Sequence, residues 1–144
     1  MESAKRGSVG SPLCWFSIAE GHLAKAIHPS TVIASDVSIG EGTVIMAGVV
    51  VNTGGRFAII NTGATVDHDN VIEDGVHISP GCRLAGNVVC RADVFIGTGT
   101  SIIPRTQIGA RAVIGAGAAV ISDVPSDVLA VGCPAVVKKH LGAS

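Results

Sequence analysis

Tyrosine is absent from this 144-residue chain, and three Phe and one Trp leave aromatics at 3%. A core must therefore be built from aliphatic side chains. Charge is also scarce. Asp, Glu, Lys and Arg together make 15% of the residues, and the formal net charge is −1. That balance excludes a strong electrostatic pull toward nucleic acid or an anionic membrane surface. No long apolar run exists either. The longest, around Val44 to Val51, is far too short to span a bilayer. The start carries Lys5 and Arg6, but Ser17 and Glu20 break the apolar run behind them, so no signal peptide is expected. The four cysteines, Cys14, Cys82, Cys90 and Cys133, form no CxxC pair. A disulfide framework is not expected, and a reducing cytoplasm fits best.

What is abundant is aliphatic residues in a fixed period. Stepping six residues from Ile60 gives Val66, Ile72, Ile78, Leu84, Cys90, Ile96, Ile102, Ile108, Ile114 and Val120. Ile, Val and Leu fill 40 of the 144 positions, so a random column of this length would hold about three of them. A second column follows four residues behind: Ala64, Asn70, Val76, Cys82, Val88, Val94, Thr100, Thr106, Ala112 and Ala118. All but Asn70 are small or β-branched. This is a hexapeptide repeat, and Cys82 and Cys90 read as small core hydrophobes within it.

Six residues are too few for a helical unit and suit one short strand plus a corner. Three such units make one 18-residue triangular coil, and coils stack by parallel strand pairing. The sequence predicts an all-β parallel β-helix of about five coils over residues 28–121. An N-terminal extension, 1–27, is expected to be partly disordered, with a short helix over 15–26. A non-repeat tail spans 122–144. The N-terminal segment and the tail are the candidates to cover the open ends of the prism. An earlier column, Ile33, Ile39, Ile45 and Val51, reaches Ile60 after nine residues, so NTGGRFA must absorb half a repeat. Flat apolar sides favour side-by-side packing into a homotrimer.

The stacking rule makes spatial neighbours readable, because residues 18 apart share a corner. His68 then lies below Gly86, and Asp69 below Asn87. The stretch TVDHDNVIEDGVHIS is the most polar part of the repeat. His68, flanked by Asp67 and Asp69, suits a general base, because a carboxylate orients an imidazole and supports the charge it gains. A solvated histidine in an acidic corner is the plainer reading of the same tripeptide. Asn61 and His77 complete the polar group. Metal binding is the competing chemistry, but His68 and His77 stand nine apart and no third His follows before His140. Glycines 97, 99, 109, 115 and 117 serve corners, and Gly97, Gly115 and Gly117 are also placed to leave backbone N–H groups open to a ligand. Arg111, Lys138 and Lys139 are candidate phosphate contacts.

The runs IHPSTVIASDVSIGEGTVIMAGVVVN, AIINTGATVDHDNVIEDGVHISPGCRLAGNV and VFIGTGTSIIPRTQIGARAVIGAGAAVISDVP resemble the sugar acetyltransferases of sialic acid and UDP-amino-sugar pathways. The resemblance covers about residues 27–137. It implies a left-handed coil, a trimer with three sites between subunits, acetyl-CoA as donor without a metal, and a sugar hydroxyl or amine as acceptor. Motif by motif, it makes His68 the general base and Asp69 its orienting acid. Asn61 and His77 become acceptor-pocket residues, and Gly86 the glycine whose N–H meets the thioester carbonyl. It also implies CoA binding along Gly97, Gly115 and Gly117. Similar proteins commonly carry a nucleotide-binding domain ahead of IHPS, and the residues preceding that motif here are too few for one. Three residues before AIIN are missing, which matches the phase break. The tail reads GCPAVV where GNPA and a basic residue are usual. A non-catalytic trimeric scaffold or binding protein is the alternative from another functional class.

Overall fold

The computed structural model describes residues 18–19, 22–35, 37–51 and 58–142. From Ile59 to Val120, two consecutive residues of each hexad form a strand. The first points outward and the second inward, as period-two alternation requires (Thr65 out and Val66 in, Arg83 out and Leu84 in). Those inward residues are the six-residue column. From Ile45 to Val120 its described members are at most 3% exposed. The second column fills the gaps between them, with Val49, Ala64, Val76, Cys82 and Val88 fully buried. Burial pushes the Cys90 thiol up to about 12, so it behaves as an inert small hydrophobe.

Three parallel ladders wall the prism. The first face stacks Ala26–Ile27, Val44–Ile45, Ile59–Ile60, His77–Ile78, Phe95–Ile96, Val113–Ile114 and Val128–Val131. The second stacks Val32–Ile33, Val50–Val51, Thr65–Val66, Arg83–Leu84, Ser101–Ile102 and Ala119–Val120. The third stacks Val71–Ile72, Val89–Cys90 and Gln107–Ile108. His77 pairs with Phe95 and Arg83 with Ser101, so the offset between coils is eighteen residues. Where the phase breaks, Val44 pairs with Ile59 and Val50 with Thr65, an offset of fifteen. The three missing residues thus fall between Val51 and Ile59. The shape of residues 52–57 lies outside the described part.

One sequence expectation needs correction at the ends. No helix forms at the described positions of 15–26. Ile18–Ala19 pairs antiparallel with His22–Leu23, and Ala26–Ile27 already stacks on Val44–Ile45 as the first rung. A helix this short is marginal in isolation, and here Ile18–Ala19 and His22–Leu23 supply backbone partners to each other instead. The expected disorder of the first residues lies outside the described part. At the other end the tail departs from the 18-residue offset, with Val113 paired to Leu129. Val128–Val131 adds a parallel strand to the first face, and Val136–His140 returns antiparallel along it. Among the described residues no helix is long and apolar enough to cross a membrane.

Candidate active site

The corner between the second and third faces carries the most polar stretch. There the residues Asp69, Asn87 and Arg105 stack with φ of 57°, 61° and 62°. Asp and Asn tolerate this left-handed region better than other non-glycine residues, which fits two of the three. His68 sits on this corner with its side chain 62% exposed. Its Nδ1 meets Asp69 Oδ2 at 2.9 Å. Because a carboxylate only accepts, Nδ1 carries the proton and Nε2 keeps its lone pair. The Asp69 hydrogen bond and then the Asp67 charge raise the His68 pKa above its ordinary 6.5.

Gly86 lies directly over this imidazole. A Cβ built on Gly86 would stand 2.6 Å from both His68 Cε1 and Nε2. Any side chain here would have to displace the exposed His68 ring, while the φ of Gly86 is itself ordinary. Its carbonyl accepts from Arg105 N at 3.1 Å, but among the described residues its N–H has no acceptor. The neighbouring coils differ at this position. His68 N donates to Asp67 Oδ1 at 2.8 Å, and Pro104 has no N–H. Gly86 therefore presents the open donor of this corner, beside the free imidazole nitrogen.

Asn61 and His77 form a second group, on the first face. Asn61 Nδ2 donates to His77 Nε2 at 3.0 Å, and the His77 ring lies 5.0 Å from that of Phe95. The fold thus joins His68, Asp69 and Gly86 at one corner and Asn61 with His77 on a different face. Phe95, one rung above His77, was not singled out in the sequence; its signal was the 18-residue offset. A groove of about 510 Å³ runs over the second face and ends toward the His68 corner, lined among others by Thr65, Asp67, Arg83 and Ser101.

The expectation of open N–H groups at the later glycines is corrected. Gly97, Gly115 and Gly117 donate to Ile114 O, Ala130 O and Thr98 O, each at 2.8 Å. Gly97 and Gly115 are needed for packing, because a Cβ would meet the Ala116 nitrogen or a Val131 methyl at 2.6 Å. Arg111 is also occupied, binding Asp127 through Nε at 2.6 Å and Nη2 at 2.7 Å. Lys138 and Lys139 lie exposed on the Val136–His140 strand. Among the described residues no three His, Cys, Asp or Glu side chains converge as a metal site.

Fold and corner together define a class: a left-handed parallel β-helix of hexapeptide repeats with a histidine at a coil corner. No protein-family model matches the chain. Solved structures do. A histidine-to-asparagine mutant of the perosamine N-acetyltransferase from Caulobacter crescentus, in complex with CoA and GDP-perosamine, superposes with a TM-score of 0.81 at 44% identity, over 83% of this chain and 58% of that one. The acetyltransferase domain of PglB from Neisseria gonorrhoeae FA1090, in complex with acetyl coenzyme A, gives 0.78 at 38% identity, over 81% and 58%. Among curated relatives, the serine acetyltransferase of Buchnera aphidicola is 33% identical over 120 residues, which are 81% of this chain and 39% of that protein. The chain is thus similar, over about four fifths of its length, to hexapeptide-repeat acetyltransferases. It spans between about two fifths and three fifths of the length of these relatives.

Proposed function

We propose that this protein transfers an acetyl group from acetyl-CoA to a hydroxyl or amine of a small sugar or nucleotide-linked sugar. The observation that carries the reading is the His68 corner: a free imidazole nitrogen held by Asp69 beside an unoccupied Gly86 N–H. The acceptor oxygen or nitrogen attacks the thioester carbonyl while His68 Nε2 takes its proton. Gly86 N–H donates to the oxygen as it becomes an oxyanion. Collapse expels the CoA sulfur, and the imidazolium returns the proton to it. No covalent enzyme intermediate forms, and no metal takes part. The presence of CoA or acetyl-CoA in the solved relatives supports this donor.

The working unit in this reading is a homotrimer in the cytoplasm. Seven of the eleven large apolar side chains exposed among the described residues lie in strands of the first two faces or in the strand that returns along the first, and Met46, Ile103 and Ile121 directly follow strands of those two faces. Only Val71 is on the third. The third face instead carries the Glu73–Arg91 ion pair, at 2.7 Å. Packing the first face of one chain on the second face of the next brings Asn61 and His77 of the partner subunit toward His68. The acceptor binds between them. Gly97, Gly115 and Gly117 then give the pantetheine arm a close, side-chain-free wall rather than hydrogen bonds.

The test is thiol release from acetyl-CoA against a panel of sugars, amino sugars and their nucleotide-linked forms. Release with at least one acceptor, undiminished by a chelator, is the expected result. Failure with every acceptor, together with no CoA binding at millimolar concentration, would leave a non-catalytic β-helix.

A further inference from the structure

The second column of the repeat tolerates one large polar residue, Asn70, and the structure gives that residue a task. It is 3% exposed. Its Nδ2 donates to Asp67 O at 3.0 Å, closing the corner that carries His68. Its Oδ1 accepts from Val88 N at 2.6 Å, in the coil above. Val88 is two residues beyond Gly86. One buried amide therefore grips both the segment that holds the base and the segment that holds the open N–H. The same corner two coils up shows what half of this device looks like. Thr106 Oγ1 donates to Ile103 O at 2.9 Å, three residues back, and among the described residues it bonds to no other coil. The corner between them has Val88 in the column and no such lock.

We infer that Asn70 is a positioning residue, which fixes the His68 ring against Gly86 by tying the two coils together. The inference rests on the acetyl-transfer reading for its kinetic consequence, and on geometry alone for the coupling. Asn70 touches neither substrate in this reading; it acts through backbone. Loss of the tie lets the 67–69 corner shift relative to Gly86, and loosens the His68–Asp69 bond. Displacement of about 1 Å in such a site costs up to about 100-fold in rate. Asp69 and Asp67 are the charged groups that act on the imidazole. The coil above faces it with uncharged Gly86 and Asn87, and Arg105 stands one coil further along.

Two variants test this. Asn70→Thr imitates Thr106, keeping the bond within the corner and losing the tie to Val88. Asn70→Ala loses both. In the intact protein, the His68 imidazole is titrated by NMR with ring-labelled histidine, the signal being assigned with His68→Gln. Turnover and KM are measured per folded enzyme, below each variant's unfolding temperature. The expected result is a His68 titration moved to lower pH in both variants, and kcat reduced about 10- to 100-fold with KM for acetyl-CoA held. Asn70→Thr is expected to keep most of the stability. A His68 titration that coincides with wild type in Asn70→Thr overturns the inference, whatever the melting temperature does. So does an unchanged kcat in an active wild type. The NMR arm needs no acceptor. If the wild type transfers no acetyl group yet the titration moves, the coupling stands and the reading of the reaction falls.

Discussion

At the scale of single residues, the chemistry reduces to one proton and one hydrogen bond. The raised pKa of His68 comes first from the Asp69 hydrogen bond and then from the Asp67 charge. A base must be unprotonated, so kcat/KM is expected to fall as pH drops through that raised value, above the ordinary 6.5. Asp69→Asn removes the largest cause, and the acidic limb of the profile should move to lower pH while a base remains. His68→Ala should lower turnover about 10²–10⁴-fold with the fold intact, because the side chain lies outside the axial core. Kinetics across pH 5 to about 9 read both effects. A limb that stays in place in Asp69→Asn removes Asp69 from the mechanism. Gly86→Ala belongs beside these variants. Its methyl meets the imidazole itself, so it should disturb the base as well as the donor, and cut kcat more than a methyl's size suggests. Wild-type kcat in Gly86→Ala would count against both roles.

At the scale of the elements, the columns were legible because each rung repeats one decision, apolar inward and anything outward. Neighbours at the corner were legible for the same reason: an 18-residue offset put Gly86 over His68 before any coordinates did. Backbone hydrogen bonding was not. The period places Gly97, Gly115 and Gly117 at corners but does not say where their N–H groups point, and neighbouring coils consume all three, the coil above for Gly97 and Gly115 and the coil below for Gly117. Asn70 was visible as the odd member of its column, yet its partners depend on side-chain rotamers that spacing does not carry. The helix expected over 15–26 does not form at its described positions; local propensity does not register the antiparallel pairing of Ile18–Ala19 with His22–Leu23. The glycines now separate into two physical kinds. Gly97 has an ordinary φ, and an added Cβ meets backbone atoms at 2.6 and 2.7 Å. Gly117 has a φ of +68° and open space around it. Gly117→Ala should therefore cost about 1–2 kcal/mol of left-handed strain. Gly97→Ala should cost more, because packed backbone cannot swing aside. Urea unfolding of the two variants orders them. The opposite order would mean that the coils relax around Gly97.

At the scale of the molecule, the division of the polar residues poses a question that one chain does not answer. His68, Asp69 and Gly86 share a corner, while Asn61 and His77 hold each other on a different face. Both groups serve one reaction only if the first face of one subunit meets the second face of another. The apolar outward residues of those faces, Ile59 and Phe95 on one and Val32 and Val50 on the other, supply the surface for that contact. Three chains related by a closed axis then give three equivalent sites, each with a base from one subunit and an acceptor pocket from its neighbour. Subunit mixing tests the arrangement directly. His68→Ala lacks the base, and His77→Ala lacks the pocket. In trimers co-expressed from equal amounts of the two variants, roughly a quarter of the sites combine an intact His68 with an intact His77 from the adjoining chain. Below the KM for acceptor, activity should rise above the mean of the two parent variants toward that fraction of wild type. If each site belonged to a single chain, every site would still lack one residue, and the mixture would show only the mean. Light scattering on the same sample must give a trimer; a stable monomer at micromolar concentration would remove the shared site altogether.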